Sequence, residues 1–322
     1  MMLNATCFPR RELLVKASSE TTKGYVYASL GSLCAGSVST LTKIALSYNG
    51  PVVVTWLSFL VSGAVLLLYQ PRRRPTPGSL RYLVFFGLVG AALAPLMYTV
   101  GLDETTVVNA ALLANGEVLF TTVLAFSVFG ETLRRGQALR GLLIVAGLVV
   151  VSTNLDLSHI AFLQGLTGNL LVLGSGLAWA LENNIIALAT KRFDTSLISK
   201  YRNLIGGVAL TAVFLVAGAH LGFTAYSASV LLLLGAVVTG GTVLFIAAVK
   251  RLGAIRMLLV WSSSTVFGAI FGLAVLGEQI TLAQILGGAL ILVGVYVVHR
   301  GEKGPEAEPF APPAGGVTPG QH

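Results

Sequence analysis

The chain has 322 residues, of which 55% are hydrophobic and only 11% are charged, and its mean hydropathy is +0.83. A soluble domain carries about 25% charged residues, so a soluble fold of this size would have no way to cover so much apolar surface. The composition predicts a polytopic membrane protein, and the net charge of +8 must be explained by where the basic residues lie.

The first 23 residues are polar and carry charges throughout, which is not typical of a cleaved signal peptide. Ten apolar segments follow, and each is close to the roughly 20 residues that a helix needs to cross a bilayer. A single span must satisfy its own backbone hydrogen bonds in lipid, so all ten are expected to be helices. The predicted spans are residues 24–47, 51–70, 80–101, 105–128, 136–153, 164–190, 195–219, 227–249, 254–276 and 281–299.

Two features of this order carry structural expectations of their own. Pro95 lies inside the third span and predicts a kink, because proline removes a backbone donor and clashes one turn back. Residues 300–322 are rich in Pro and Gly and almost without large apolar side chains, so they are expected to form a disordered cytoplasmic tail.

An internal duplication relates residues 130–151 to residues 277–298. The two segments match at 10 of 22 positions with a spacing of 147 residues. The matches that apolar composition does not explain include Gly130/Gly277, Glu131/Glu278 and Gln137/Gln284. Identical polar and glycine residues in one register indicate two copies of the same unit.

The basic residues indicate the orientation of the spans. Twenty of the 21 Lys and Arg residues lie in the N-terminal segment, in alternate loops or in the tail, and the exception is Lys43. Cytoplasmic loops hold an excess of Lys and Arg. We therefore expect a multi-pass protein of the cell membrane with both termini in the cytoplasm, and no nucleic-acid partner.

Each copy contains five helices, an odd number, so the second copy is expected to cross the membrane in the opposite sense. The predicted fold is an all-α polytopic membrane protein whose ten transmembrane helices form two inverted five-helix repeats, residues 24–155 and 164–299. Inverted repeats are the architecture of secondary transporters, whose solute site lies near the midplane between the halves.

This arrangement, with a Gly-Glu pair closing the fourth helix of each half, resembles the EamA-type members of the drug/metabolite transporter superfamily. The resemblance covers about residues 24–299. Lys43 followed by Pro51 is similar to a lysine-then-proline pattern of the family. The segment LLANGEVLFTTVLAFSVFGE resembles the family's fourth helix and aligns the family's glutamate with Glu117.

The chain departs from the family pattern at two matched positions. Val118 and Thr265 stand where the family has proline. The arginine that the family carries in the second helix of a half is matched by Arg202 in the second half only. The resemblance implies a solute carrier without ATP-binding parts, often an exporter of amino acids or related metabolites.

Glu117 lies in the middle of the span 105–128. A charged side chain at the centre of the bilayer costs at least about 2.5–3.5 kcal/mol, so it needs a polar cavity, a partner or a proton. We expect Glu117 to contact a substrate amine or to couple transport to protons; a structural carboxyl group is the alternative. Asn115 is close in sequence but on another face, whereas Thr121 shares the face of Glu117.

Glu182, Asn183 and Asn184 interrupt the sixth span. Three adjacent residues cannot all face one cavity, so some are expected to line the transport path and the others to bind neighbouring helices. When the first and sixth helices are aligned, Glu182 matches Ser39 and Asn183 matches Thr40. The polar patch in both halves predicts a shared cavity, with Thr40, Glu182 and Asn183 in its wall.

Five further side chains are candidates for the site. Lys43 is predicted either to hold a substrate carboxylate or to extend to the outer interface, and Arg202 either to serve the cavity or to extend to the cytoplasmic interface. Trp179 and Tyr98 lie deep enough to line a cavity. Ser264 matches Glu117 in the duplication, although hydroxyl groups in helices also bond back to the backbone.

The predicted function is secondary active transport of small polar metabolites, amino acids or related compounds, in the direction of export and by alternating access. The partners are a small-molecule solute and the lipid bilayer, with proton coupling left open, and no cofactor is expected. No protease motif or phosphate-binding loop is present, so neither an enzyme nor an ATP-driven pump is predicted. The alternative is a nucleotide-sugar or organophosphate exchanger of the same superfamily.

Overall fold

The computed structural model describes the backbone of residues 8–68, 71, 74–128, 135–153, 155, 159–222 and 224–300. All regular elements within these ranges are helices, as predicted. The expected disordered tail beyond Arg300 and the Gly130-Glu131 corner lie outside the described residues.

The helices of the first half are α1 (Phe8–Leu46), α2 (Pro51–Leu67), α3 (Pro77–Phe85), a π-helical segment (Phe86–Leu93), α4 (Ala94–Asp103), α5 (Val107–Leu113), α6 (Gly116–Ser127) and α7 (Arg135–Thr153). Those of the second half are α8 (His159–Ala189), α9 (Thr195–Val216), α10 (Ala225–Leu252), α11 (Ala254–Trp261), α12 (Ser264–Leu276) and α13 (Leu282–Arg300). Three pairs of neighbours belong to single predicted spans, α3 with α4, α5 with α6 and α11 with α12, so the helices match the ten spans.

Length and composition make several of these helices able to cross a membrane. Among the described residues, five helical stretches are long and apolar enough: Pro77–Asp103, Val107–Ser127, Gly165–Ala189, Ala225–Leu252 and Arg256–Leu276. Shorter apolar helices cover Pro51–Leu67, Leu142–Val151 and Leu282–Val297. The chain is therefore a helical, polytopic membrane protein, which confirms the fold class.

The packing of α7 against α13 shows that the two halves are inverted. A Cβ on Gly147 would lie 2.7 Å from Ile291, and a Cβ on Gly294 would lie 2.7 Å from Ile144. These are the same contact seen twice at the spacing of the duplication. Rising residue numbers in α7 meet falling numbers in α13, so equivalent helices run antiparallel. Equivalent helices that pack antiparallel are related by a two-fold axis perpendicular to them, which is the symmetry of inverted repeats.

The fourth helix of each half is broken near its middle although neither carries the family's proline. Leu113 ends α5 and Gly116 begins α6, while Trp261 ends α11 and Ser264 begins α12. At the first break the Glu117 N–H donates to the carbonyl three residues back, that of Ala114 (3.0 Å). Such a tight turn replaces the α-helical hydrogen bonds and exposes carbonyl groups that need other donors.

Polar side chains donate to backbone carbonyls at both breaks, including carbonyls that also accept a backbone N–H. Asn115 Nδ2 donates to the carbonyls of Ala111 (3.2 Å) and Leu112 (3.1 Å). At the second break the hydroxyl groups of Ser262 and Ser263 donate to carbonyls of α11 at 2.9 and 2.7 Å. Side-chain hydrogen bonds of this kind compete with the backbone hydrogen bonds of the helix and bend it. The amide and hydroxyl groups therefore favour the breaks in the absence of proline.

The Gly-Glu pair of the second half joins the two halves. Gly277 ends α12 in the left-handed conformation, with φ of 68°. The Glu278 carboxylate then accepts hydrogen bonds from the N–H groups of Val107 (2.7 Å) and Val108 (3.0 Å) at the start of α5. A carboxylate at a helix N-terminus satisfies unpaired N–H groups and complements the helix dipole. The motif that revealed the duplication therefore has a capping role.

Candidate functional site

A cavity of about 200 Å³ lies between the two halves. Most helices of both halves line it, and among the described residues α7 and α13 contribute nothing to the wall. The predicted site residues in the wall are Tyr98, Glu117, Trp179, Glu182, Asn183, Arg202 and Ser264. The remaining predicted residues, Thr40, Lys43, Asn115 and Thr121, lie outside it.

Glu117 is positioned by the helix break that precedes it. It occupies the first turn of α6, where the positive end of the helix dipole favours a negative charge. The residue is 7% exposed, and Asn183 Nδ2 of α8 donates a short hydrogen bond to Glu117 Oε1. Neither Lys nor Arg forms an ion pair with Glu117 among the described residues. The carboxylate can therefore still take a cation or a proton.

Arg202 and Glu182 form a buried ion pair in the same wall. Arg202 Nε lies 2.6 Å from Glu182 Oε1, and Arg202 Nη2 lies 2.9 Å from Glu182 Oε2. The side chains are 11% and 2% exposed. The interpretation that Arg202 extends to the cytoplasmic interface is wrong, because a bidentate partner holds the guanidinium inside the protein.

Gly90 and Pro95 complete the surroundings of this pair. Pro95 follows the π-helical segment, where hydrogen bonds run from residue i to residue i−5. Because proline has no N–H, the Gly90 carbonyl receives no such bond from Pro95. It accepts instead from Arg202 Nη2 (2.8 Å) and Trp179 Nε1 (3.1 Å). The helix irregularity thus creates an acceptor for two side chains of the other half.

Lys43 has a role that sequence analysis did not foresee. Its ammonium group donates to the carbonyls of Leu102 (2.7 Å), Asp103 (3.2 Å) and Thr105 (2.8 Å). These carbonyls belong to the C-terminal end of α4 and the turn that follows, which attract a positive charge. The ammonium group therefore lies outside the described cavity wall, beside the predicted outer loop of Asp103 and Glu104, as expected of a side chain that extends towards the outer interface. Its predicted contact with a substrate carboxylate stays a prediction.

Three other predicted residues, Asn115, Thr121 and Thr40, are buried outside the cavity wall. Asn115 bonds to Thr265 of the other half in addition to its helix carbonyls. The hydroxyl groups of Thr121 and Thr40 are buried and have no hydrogen-bond partner among the described residues. Ser39 lines the cavity in place of Thr40, and its hydroxyl group lies 2.7 Å from that of Tyr98. One residue along a helix turns the side chain by about 100°, which explains the misplacement of Thr40.

Aromatic rings form much of the remaining wall. The rings of Tyr98 and Trp179 are 5.7 Å apart, and those of Phe245 and Trp261 are 4.9 Å apart. Phe245 lines the cavity, and the Gly90 carbonyl holds two residues of its wall. Neither was predicted, because a phenylalanine or glycine in an apolar span carries no distinguishing signal. The wall is thus largely apolar, with a few polar groups, as is typical of solute sites.

Comparison with known proteins gives matches over most of the chain. The model of a family described as the EamA-like transporter family matches residues 22–153 and again residues 166–300. A protein of Methanothermobacter thermautotrophicus named an uncharacterized transporter is 28% identical over 304 residues, which cover 86% of each chain. An uncharacterized transporter of Bacillus subtilis is 25% identical over 82% of this chain and 89% of its own length.

Two more distant matches agree with these. A chloroplastic WAT1-related protein of Arabidopsis thaliana is 24% identical over 82% of this chain and 66% of its own length. A crystal structure superposes with a TM-score of 0.63 over 87% of this chain and 98% of its own, at 19% identity. At that identity the likeness concerns the fold.

Proposed function

We propose that this chain, which belongs to the EamA-like transporter family, is a secondary active transporter that exports small polar metabolites such as amino acids by alternating access. Two inverted halves can exchange their packing, so that one site between them opens to each side in turn. The observation that carries the proposal is Glu117, a buried carboxylate without a basic partner among the described residues, in a cavity between the halves.

The cavity favours an amine-bearing solute over the alternative, a nucleotide sugar or organophosphate. Phosphate groups require basic side chains with free donors. Among the described residues of the wall, Arg202 is the only basic one, and it is engaged with Glu182. Lys43, the other candidate, binds backbone carbonyls away from the cavity. No enzymatic role is proposed.

The test is transport by the purified protein in proteoliposomes, with amino acids and small amines screened with and without a pH gradient. Glu117→Gln is expected to lower uptake of a transported amine at least about tenfold, because a charge contact in a desolvated site is worth several kcal/mol. Glu104→Gln is the matched control, since Glu104 is exposed outside the cavity, and it should transport normally.

Two results would contradict the proposal. If no solute crosses in the wild-type protein, the chain is not a carrier of this kind. If uptake survives Glu117→Gln unchanged, the carrier is right but its site is elsewhere. If uptake depends on the pH gradient in the wild-type protein but not in Glu117→Gln, protons are the coupling ion.

We also propose that the protein lies in the cell membrane with both termini in the cytoplasm. Gly50 directly precedes α2 and Gly78 lies in the first turn of α3, so the two are separated by α2; both are exposed and have no atom near an added Cβ. With Cys7 and Cys34 replaced by alanine, Gly50→Cys is expected to react with an impermeant maleimide added to intact cells, and Gly78→Cys only after permeabilisation. Equal labelling of both would refute this orientation.

A further inference from the structure

We infer that the Glu182–Arg202 pair sets the charge selectivity of the cavity. By occupying Arg202, Glu182 makes the site recognise solutes through an ammonium group and reject those that would bind through a carboxylate or phosphate. The inference rests on the proposed function, which it deepens by naming the substrate class.

The hydrogen bonds of Arg202 show why its guanidinium cannot serve a solute. Nε and Nη2 donate to the two oxygens of Glu182, Nη2 donates also to the Gly90 carbonyl, and Nη1 donates to Asn203 Oδ1 (3.0 Å). A guanidinium has five N–H groups, so four are committed to protein acceptors. The bidentate face, with which arginine binds carboxylates and phosphates, is occupied by Glu182.

When Glu117 is ionised, the charge that remains in the cavity is negative. Glu182 and Arg202 cancel, and Glu117 is the other acidic residue of the described wall. Its single polar partner among the described side chains is the neutral amide of Asn183. Because the surrounding wall is largely apolar and aromatic, one uncompensated charge is weakly screened. Glu117 therefore attracts ammonium groups and repels anions.

Glu182→Gln should release this restraint. Glutamine keeps the size of glutamate but presents a single acceptor oxygen, so part of the Arg202 face becomes available. The change also raises the net charge of the cavity by one. An anion can then bind Arg202, and its binding would compensate the guanidinium that the substitution leaves unpaired. The double variant Glu182→Gln/Arg202→Gln restores the original net charge and serves as the matched control.

The experiment measures thermal unfolding of the purified full chain in detergent, with ethylammonium chloride and sodium acetate as probes and sodium chloride as the ionic control. The wild-type protein is expected to be stabilised by ethylammonium and not by acetate. Glu182→Gln should bind acetate at least about tenfold more tightly than the wild-type protein does, because like charges across a contact are strongly unfavourable. The double variant should return to the wild-type pattern.

A second variant keeps the test decisive if Glu182→Gln does not fold. Glu117→Gln removes the free charge but leaves Arg202 engaged, so it should lose the ethylammonium response without gaining an acetate response. Acetate binding by Glu117→Gln or by the wild-type protein would overturn the inference, as would a folded Glu182→Gln that ignores acetate. In each case, transport of amines by the wild-type protein would leave the proposed function intact.

Discussion

Gly90→Ala is expected to abolish transport and to destabilise the protein strongly, because Gly90 packs against the Glu182–Arg202 pair of the cavity wall. A Cβ at this position would lie 1.9 Å from both Cδ and Oε1 of Glu182, and 2.0 Å from Oε2. These distances require the carboxylate to move, and Arg202 would lose its bidentate partner. Breaking a buried ion pair costs about 3–5 kcal/mol, which exceeds the cost of most single substitutions.

The measurement is thermal or denaturant unfolding in detergent, together with uptake in proteoliposomes. Gly240→Ala is the matched control, because Gly240 also lies in a membrane helix, α10, and has no atom within 4 Å of an added Cβ. That substitution should be neutral or slightly stabilising, since alanine favours helix more than glycine does. Wild-type stability and uptake in Gly90→Ala would show that Glu182 does not occupy this position in the working protein.

Arg202→Gln is expected to lower the free energy of unfolding by about 3–5 kcal/mol, because it leaves the Glu182 carboxylate buried without its counter-ion. Glu182 has a side chain that is only 2% exposed, so water cannot replace the lost partner. The Gly90 carbonyl also loses one of its two donors. Uptake should fall with stability, since the pair forms part of the cavity wall.

The double variant Glu182→Gln/Arg202→Gln separates the pair from its members. Replacing both partners of a buried ion pair is often close to neutral, so most of the lost stability should return. Arg202→Lys should be intermediate, because lysine keeps the charge but cannot form the bidentate contact. Equal instability of the single and double variants would mean that Arg202 acts alone, through Gly90 and Asn203 rather than through Glu182.

Several features of the molecule could be predicted from the sequence because they depend on composition and periodicity. The membrane class, the helix positions and the inverted duplication all follow from apolar segments, their number and the repeated Gly-Glu motif. The cost of placing Glu117 in lipid also sufficed to single out a residue that lies in the wall of the cavity. Whether Glu117 and its neighbours bind solute stays a prediction.

Other features could not be predicted, because they depend on which side chains of different helices meet. Arg202 holds Glu182, and Gly90 leaves room for the carboxylate. These three residues belong to three different helical segments, and no local pattern links them. Helical periodicity also did not determine whether Ser39 or Thr40 faces the cavity, since adjacent positions differ by a rotation of about 100° and the angle of the helix about its axis was not known.

The architecture of two inverted, membrane-spanning helical repeats can be predicted from the order of residues, since burial of apolar surface and the cost of charge in lipid act on every residue independently of its distant neighbours. Which charges remain free in the cavity depends instead on how the helices pack in the folded protein. Glu182 and Arg202 cancel each other and Lys43 binds carbonyl groups, whereas Glu117 has only an amide partner. Pairing of this kind is set by distances between helices, which the order of residues along the chain does not specify.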